Sequence, residues 1–390
     1  MQLQTSSRAL RDALATVSKA ISNKNALAVL DFALLRKIDG KFLITGASTE
    51  AQLTVAVDII DVKENFTQVC LPVAELISYL SLLPDVTLTL DFNESNRTLT
   101  LSYCTQSGEQ NKGGKVSLAY NEADEYPLIR QFDETACHIV LPGSTFLHHI
   151  NAAMPFTAND DLRMVMNGVC LDIKLDTCTI VATDGHTLYR YIHHNGAHGM
   201  GTDFQRSNTE ATIILGKHIL KTIAPFAGAE EVEITTDNRS VTIKSENVEL
   251  IGKLIEGRYP NYNSVIPQDN SKYIVLDSKE ISQVIKRVSL FSAEATNLLS
   301  LQSEGMFLNL RAEDIDFSRS ASDQALISDQ NSSMSEKIGV KASKFLQDIN
   351  ACNSPSIRIE FMGPSKPLII RPDEQNATVT TLCMPMILGD

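Results

Sequence analysis

Thr183-Asp184-Gly185-His186 is the sharpest short constellation in this 390-residue sequence. An Asp-Gly pair between apolar runs makes a hairpin turn. A histidine beside it serves as a base or metal ligand only where a nucleophile or further ligands converge on it. No serine or cysteine sits in a nucleophile elbow and no paired carboxylates frame the motif, so a turn is the expected role. His193, His194 and His198 suggest metal ligands at first sight. Their Gly-containing loop brings no carboxylate at ligand spacing, and a solvated loop is expected. His148 and His149 adjoin on a helical pattern and cannot face one ligand together. Neither a P-loop nor a G-x-G-x-x-G fingerprint occurs, so nucleotide hydrolysis has no apparatus here. Seven cysteines, odd in number and never spaced C-x-x-C, fit buried thiols in a reducing cytoplasm. No metal is expected.

The elements that must position these residues recur three times along the chain. A helical pattern with one apolar face runs over 7–20, over 144–156 and over 278–291, each opening on a serine able to cap it. Alternating strand-like runs follow, clearest over 42–57, 168–191 and 305–317. A second helix is expected over 72–83, 216–225 and 341–351. Behind each lies a hairpin whose turn carries residues 93–96, Asp237-Asn238 or Gly363-Pro364. Tyr126-Pro127 and Tyr259-Pro260 close the first two thirds, and residues 107–114 read as a polar loop. The expected fold class is α+β, with three similar domains over 1–130, 136–267 and 272–390. Each has two helices packed on antiparallel sheets, and the linkers at 130–135 and 268–272 are short and polar.

Forty-three per cent apolar and 21% charged residues are those of a globular protein, and no 18-residue apolar window exists to span a membrane. The N-terminal Met1-Gln2-Leu3-Gln4 has neither a basic segment nor an apolar run, so a cytoplasmic protein without a signal peptide is expected. A net charge of -13 argues against nucleic acid, whose phosphates need a basic face. Counted over 7–20, 72–83, 144–158, 215–225, 278–294 and 340–351, the six helical segments nevertheless carry ten positive and five negative charges. A surface lined by them is basic on an acidic protein and suits DNA on that side; lysines on any solvated helix are the plainer account.

Residues 380–390 place Leu382, Met384, Met386, Ile387 and Leu388 close to the end of the sequence. Chain ends are ordinarily polar. The run reads as a closing strand at Leu382 and Cys383, followed by Met384 to Leu388 as an uncovered docking surface with adaptable methionines.

Thr183-Asp184-Gly185-His186 with Leu188, the run Glu256-Gly257-Arg258-Tyr259-Pro260-Asn261-Tyr262, and Met384-Pro385-Met386 with Leu388 together resemble the bacterial DNA polymerase III β subunits, the replicative sliding clamps. The resemblance covers the whole chain. It implies a DNA-clamp fold assembled as a head-to-tail homodimeric ring, with helices toward the central hole. Such a ring encircles duplex DNA without sequence preference and tethers the DNA polymerase III catalytic subunit, with no chemistry of its own and no cofactor. A clamp loader complex opens it with ATP. Other polymerases and repair proteins dock through short linear peptides. The implied peptide pocket is Met166, Thr183, Gly185, His186, Thr187, Leu188, Pro260, Val265, Pro367, Leu368, Leu382, Met384, Pro385, Met386 and Leu388. Implied DNA contacts are Lys24 and Arg163, backed by Arg8, Arg11, Lys217, Lys221, Lys286 and Lys344; the implied dimer contact is Val116 with Leu290 and Phe291. The chain departs from the family at Thr187 and Ile387, where arginine is common. It departs again in the Gly389-Asp390 extension and in a Val116 smaller than the usual aromatic.

Two other readings stay open on the sequence. One is a metal-dependent hydrolase using His186 with His193, His194 and His198, and the other a monomeric adaptor that binds peptides without closing a ring.

Overall fold

The structure, a computed structural model, describes residues 1–22, 24–25, 27–63, 66–107, 110–129, 137–194, 209–267 and 270–388. The linker at 130–135, Gln268 of the second linker, His198 with its loop, and Gly389-Asp390 lie outside the described residues.

Helix α1 (Ser7–Val17) buries Leu10, Ala13, Leu14 and Val17, the stripe that a 3.6-residue period dictates. Helix α2 (Val73–Leu80) packs beside it. Helix α3 (Gly143–Ala153) gives way to a 3-10 turn at Met154–Phe156, where Pro155 has no N–H to continue the ladder. Helix α4 is a single turn, Lys217–Leu220, shorter than the sequence pattern over 216–225. Pro225 disfavours the α conformation at Ala224, and the chain closes instead in a 3-10 turn at Ala224–Phe226. Helices α5 (Ser278–Ser289) and α6 (Ala342–Ala351) complete the set.

The caps fall one residue earlier than the serines suggest. Ser6 Oγ accepts from the amides of Arg8 and Ala9, while Ser7 is turned inward and donates to the Pro84 carbonyl at 2.9 Å. Asp277, not Ser278, caps α5 through the Glu280 amide. In both cases the residue that ends the preceding strand is still extended, which is the conformation a cap requires. Nor do residues 107–114 form a loop as a whole, because strands Thr98–Ser107 and Gln110–Ala119 carry the ladder into the polar segment.

The chain packs as two compact units, one built on the described residues of 1–147 and 216–254, the other on those of 148–194, 210–215 and 255–388. In the first, α1 and α2 share a core with Leu3, Leu88, Leu90, Leu99 and Leu101. One five-stranded sheet there ends on Gln110–Ala119. An eight-stranded sheet joins strand Val248–Lys253 to Ala51–Val57, with Leu250 opposite Leu53. In the second unit a twelve-stranded sheet joins Thr187–His194 to Val379–Cys383, with Leu188 opposite Leu382. Helices α5 and α6 cover its core through Ile281, Ile285, Phe345 and Ile349. The middle third of the chain therefore shares one sheet with the first third and another with the last.

Candidate functional site

Strand Thr177–Thr183 is almost wholly buried, and it pairs with Thr187–His194. The link between them is the Asp-Gly turn the sequence indicates. Gly185 has φ +89°, and a Cβ there would stand 2.7 Å from Arg163 Nη1. Asp184 organises the turn: its Oδ1 accepts from the amides of His186 (2.9 Å) and Thr187 (2.7 Å) and from the Thr187 hydroxyl. Its Oδ2 lies 3.0 Å from Lys344 Nζ. Burial pushes this carboxyl up, but the two amides and Lys344 outweigh burial and hold it below its ordinary value. Thr183 Oγ1 donates to the Thr187 carbonyl and accepts from the Gly185 amide, so the turn is closed from both ends.

The C-terminal strand Val379–Cys383 lies between Thr187–His194 and Leu368–Pro372. The Met384 amide donates to the His186 carbonyl at 2.8 Å, which carries the pairing one residue past the strand. Pro385 cannot donate. The Met386 amide then turns to the Gly339 carbonyl at 2.7 Å. A Cβ on Gly339 would come 2.5 Å from the Met386 carbonyl oxygen, so this approach needs glycine. The tail is thus pinned at two points. Met384 is 38% exposed, Pro385, Met386 and Leu388 are half-buried, and Ile387 is 95% exposed.

The fifteen residues of the implied pocket divide accordingly. Thr183, Thr187, Leu188, Met166, Leu368 and Leu382 are buried. Leu188 and Leu382 pack with Tyr259, Tyr262 and Ile369 beneath the turn, so Leu382 is sheet core and not open floor. Gly185, His186, Met384, Pro260 and Val265 are exposed, and Pro367 is half-buried. Three further residues support the site, of which only Gly339 carried no role on the sequence. Tyr259 accepts from the Thr183 amide, Asp184 ties the turn, and Gly339 receives the tail. The Ile338-Gly339-Val340 strand, with a glycine inside an apolar run, was the available signal for the last.

The basic residues divide too. Lys24, Lys217, Lys221 and Lys286 are exposed. Arg8 stands 3.6 Å from Asp85, and Arg11 donates to its neighbour Asp12 at 2.8 Å. Lys344 is paired with Asp184, and Arg163 is bound to Asp160 at 2.9 Å with its guanidinium against Gly185, so both bear on the turn. Val116, half-buried, lies on the edge strand Gln110–Ala119; Leu290, 76% exposed, and Phe291 follow α5. His186 is exposed at the turn, whereas His193 and His194 end a strand. Among the described residues no three His, Cys, Asp or Glu side chains stand together as a metal ion needs. Among them, too, no helix is long and apolar enough to cross a membrane.

Three family models match in order along the sequence: the N-terminal domain of the DNA polymerase III beta subunit over 1–130, its central domain over 140–261 and its C-terminal domain over 263–387. The chain belongs to the DNA polymerase III beta subunit family. A beta sliding clamp of Haemophilus influenzae is 26% identical over 92% of each chain, and that of Synechococcus elongatus 22% over the whole of both. A sliding clamp of Pseudomonas aeruginosa bound to griselimycin has the same fold, with a TM-score of 0.87 over 100% of each chain at 21% identity. The fold is the three-domain clamp fold of this family, its helices packed on antiparallel sheets.

Proposed function

We propose that this protein is a processivity clamp, a ring that encircles duplex DNA and tethers the replicative polymerase without chemistry of its own. The order of the three beta-subunit matches from end to end carries this reading. In this proposal two copies close head to tail through Val116 of one and Leu290 and Phe291 of the other, with domains at 1–130, 136–267 and 272–390. Lys24 and Arg163, backed by Arg8, Arg11, Lys217, Lys221, Lys286 and Lys344, meet the DNA through weak, salt-screened phosphate contacts that permit sliding. The turn at 183–188 and the tail at 384–388 receive short peptides with glutamine and leucine or phenylalanine anchors. Those peptides come from the DNA polymerase III catalytic subunit, the clamp loader and other polymerases and repair proteins, all in the cytoplasm.

The decisive measurement is retention after loading on circular and on linearised DNA. A ring stays on the circle and runs off the ends of the linear form, whereas simple electrostatic binding treats the two alike. A persistent 42.8 kDa species in sedimentation at micromolar concentration contradicts the ring. Deleting Met384 to Asp390 is expected to abolish binding of polymerase peptides and to leave dimerisation intact; unchanged peptide affinity refutes the assigned pocket.

A further inference from the structure

Lys344 lies in the first turn of helix α6, one turn ahead of Asp348. A lysine four residues before an aspartate stands within reach of it along the helix face. Here the two do not pair. Asp348 is fully buried, and its carboxyl oxygens make no hydrogen bond to any nitrogen or oxygen among the described residues. The Lys344 ammonium instead reaches out to Asp184 Oδ2 at 3.0 Å, with side chains 27% and 14% exposed. This is a half-sheltered pair, less screened than a surface one.

We propose that Lys344 is a positioning residue of the peptide site, fixing through Asp184 both the 183–187 turn and the start of the C-terminal tail. The proposal rests on the reading of that turn as a peptide site. Lys344 holds one carboxylate oxygen, and the other gathers the amides of His186 and Thr187. The orientation of the His186 peptide follows from this, and its carbonyl is the acceptor that holds the Met384 amide. One ion pair therefore sets the wall and the floor together. Without the ammonium, Asp184 keeps its burial but loses a counter-charge, its proton affinity rises, and a protonated or rotated carboxyl no longer holds both amides.

The test uses the full chain, with a glutamine- and leucine-containing polymerase peptide as the anisotropy probe. Lys344→Met keeps the aliphatic stem and removes the charge; Lys344→Arg keeps the charge. The Met variant is expected to bind about tenfold more weakly, the effect of one lost charge-assisted hydrogen bond. The Arg variant is expected to recover most of that loss. The Met variant should also lose affinity at a higher pH than wild type as the solution is acidified, which a merely structural defect does not produce. Exchange at the His186 and Thr187 amides should quicken in the Met variant without peptide. Wild-type affinity in the Met variant, or no recovery with Arg, overturns the proposal. If wild type fails to bind the peptide, or the Met384 to Asp390 deletion binds it equally well, the site reading fails, and amide exchange alone then decides for or against the role of Lys344 at the turn.

Discussion

The Thr183 amide donates to the phenol oxygen of Tyr259 at 3.1 Å. This bond makes one structure of two motifs that lie far apart in sequence. Thr183 ends the strand before the Asp184-Gly185 turn, and Tyr259 is the centre of the Arg258-Tyr259-Pro260 run. With the tyrosine ring buried against Leu188 and Leu382, the turn rests on an apolar support with one polar anchor. His186 on the turn and Met384 on the tail are exposed to solvent.

Tyr259→Phe removes the anchor and leaves the ring. The Thr183 amide, buried, is then without a partner, at a cost of about 1–3 kcal/mol. Urea unfolding should show that loss, and exchange at Thr183 should accelerate. If both are unchanged, the bond does not support the turn.

Gly339→Ala tests the other end of the tail. A methyl group cannot occupy the 2.5 Å between Cβ and the Met386 carbonyl, and Leu388 crowds the same point at 2.9 Å. The tail must lift from strand Ile338–Lys341, losing the bond from the Met386 amide, worth about 1 kcal/mol. Peptide affinity is expected to fall about fivefold, while unfolding stability falls by no more than about 1 kcal/mol, because strand Ile338–Lys341 keeps its pairing with Leu298–Glu304. Full affinity in this variant contradicts the two-point pinning.

Local pattern carried the long helices and the hairpins, because their periods are written in consecutive residues. The Asp184-Gly185 turn was legible for the same reason. Helix α4 was not, since Pro225 overrides an apolar spacing that otherwise continues to Phe226. The pairing of Val248–Lys253 with Ala51–Val57, and of Thr187–His194 with Val379–Cys383, has no local signature at all. A sum of helix charges is equally blind to neighbours on other elements. It counts Lys344 as a free cation and Asp348 as a solvated anion, although the first is paired with Asp184 and the second is buried.

His149 makes the stability of the second unit sensitive to acid. Its ring stacks on Tyr191 with centroids 3.3 Å apart, and its Nδ1 lies 2.6 Å from the Tyr189 hydroxyl. Burial first, then His148 and His193, push its pKa down from 6.5 to about 3. The unfolded chain takes up a proton below 6.5 and the folded chain does not. The stability is therefore present above 6.5 and lost as pH falls from there toward about 3. By pH 5 the loss reaches up to about 2 kcal/mol. His149→Phe keeps the stacked ring without the titration. It should begin less stable at pH 7, having lost the Tyr189 bond, and close the gap with wild type by pH 5 in thermal unfolding. A constant gap across that range rules out His149 as the acid-sensitive group.

Asp348 acts in the opposite sense. Burial dominates and raises its carboxyl well above the ordinary 3.8, although the Cys383 thiol and Lys344 pull the other way. The folded chain then holds a proton that the unfolded chain releases. Its stability contribution is complete below 3.8 and is lost as pH rises through the folded value, at about 1.4 kcal/mol for each unit between the two. Asp348→Asn has the same shape and no charge at any pH. Unfolding measured at pH 4 and at pH 8 should show the variant gaining on wild type as pH rises, because only wild type must keep a proton or bury an unpaired charge. Parallel pH curves for the two proteins would mean that Asp348 does not titrate differently on folding, and that the carboxylate beside Cys383 is stabilised by a charge its present neighbours do not supply.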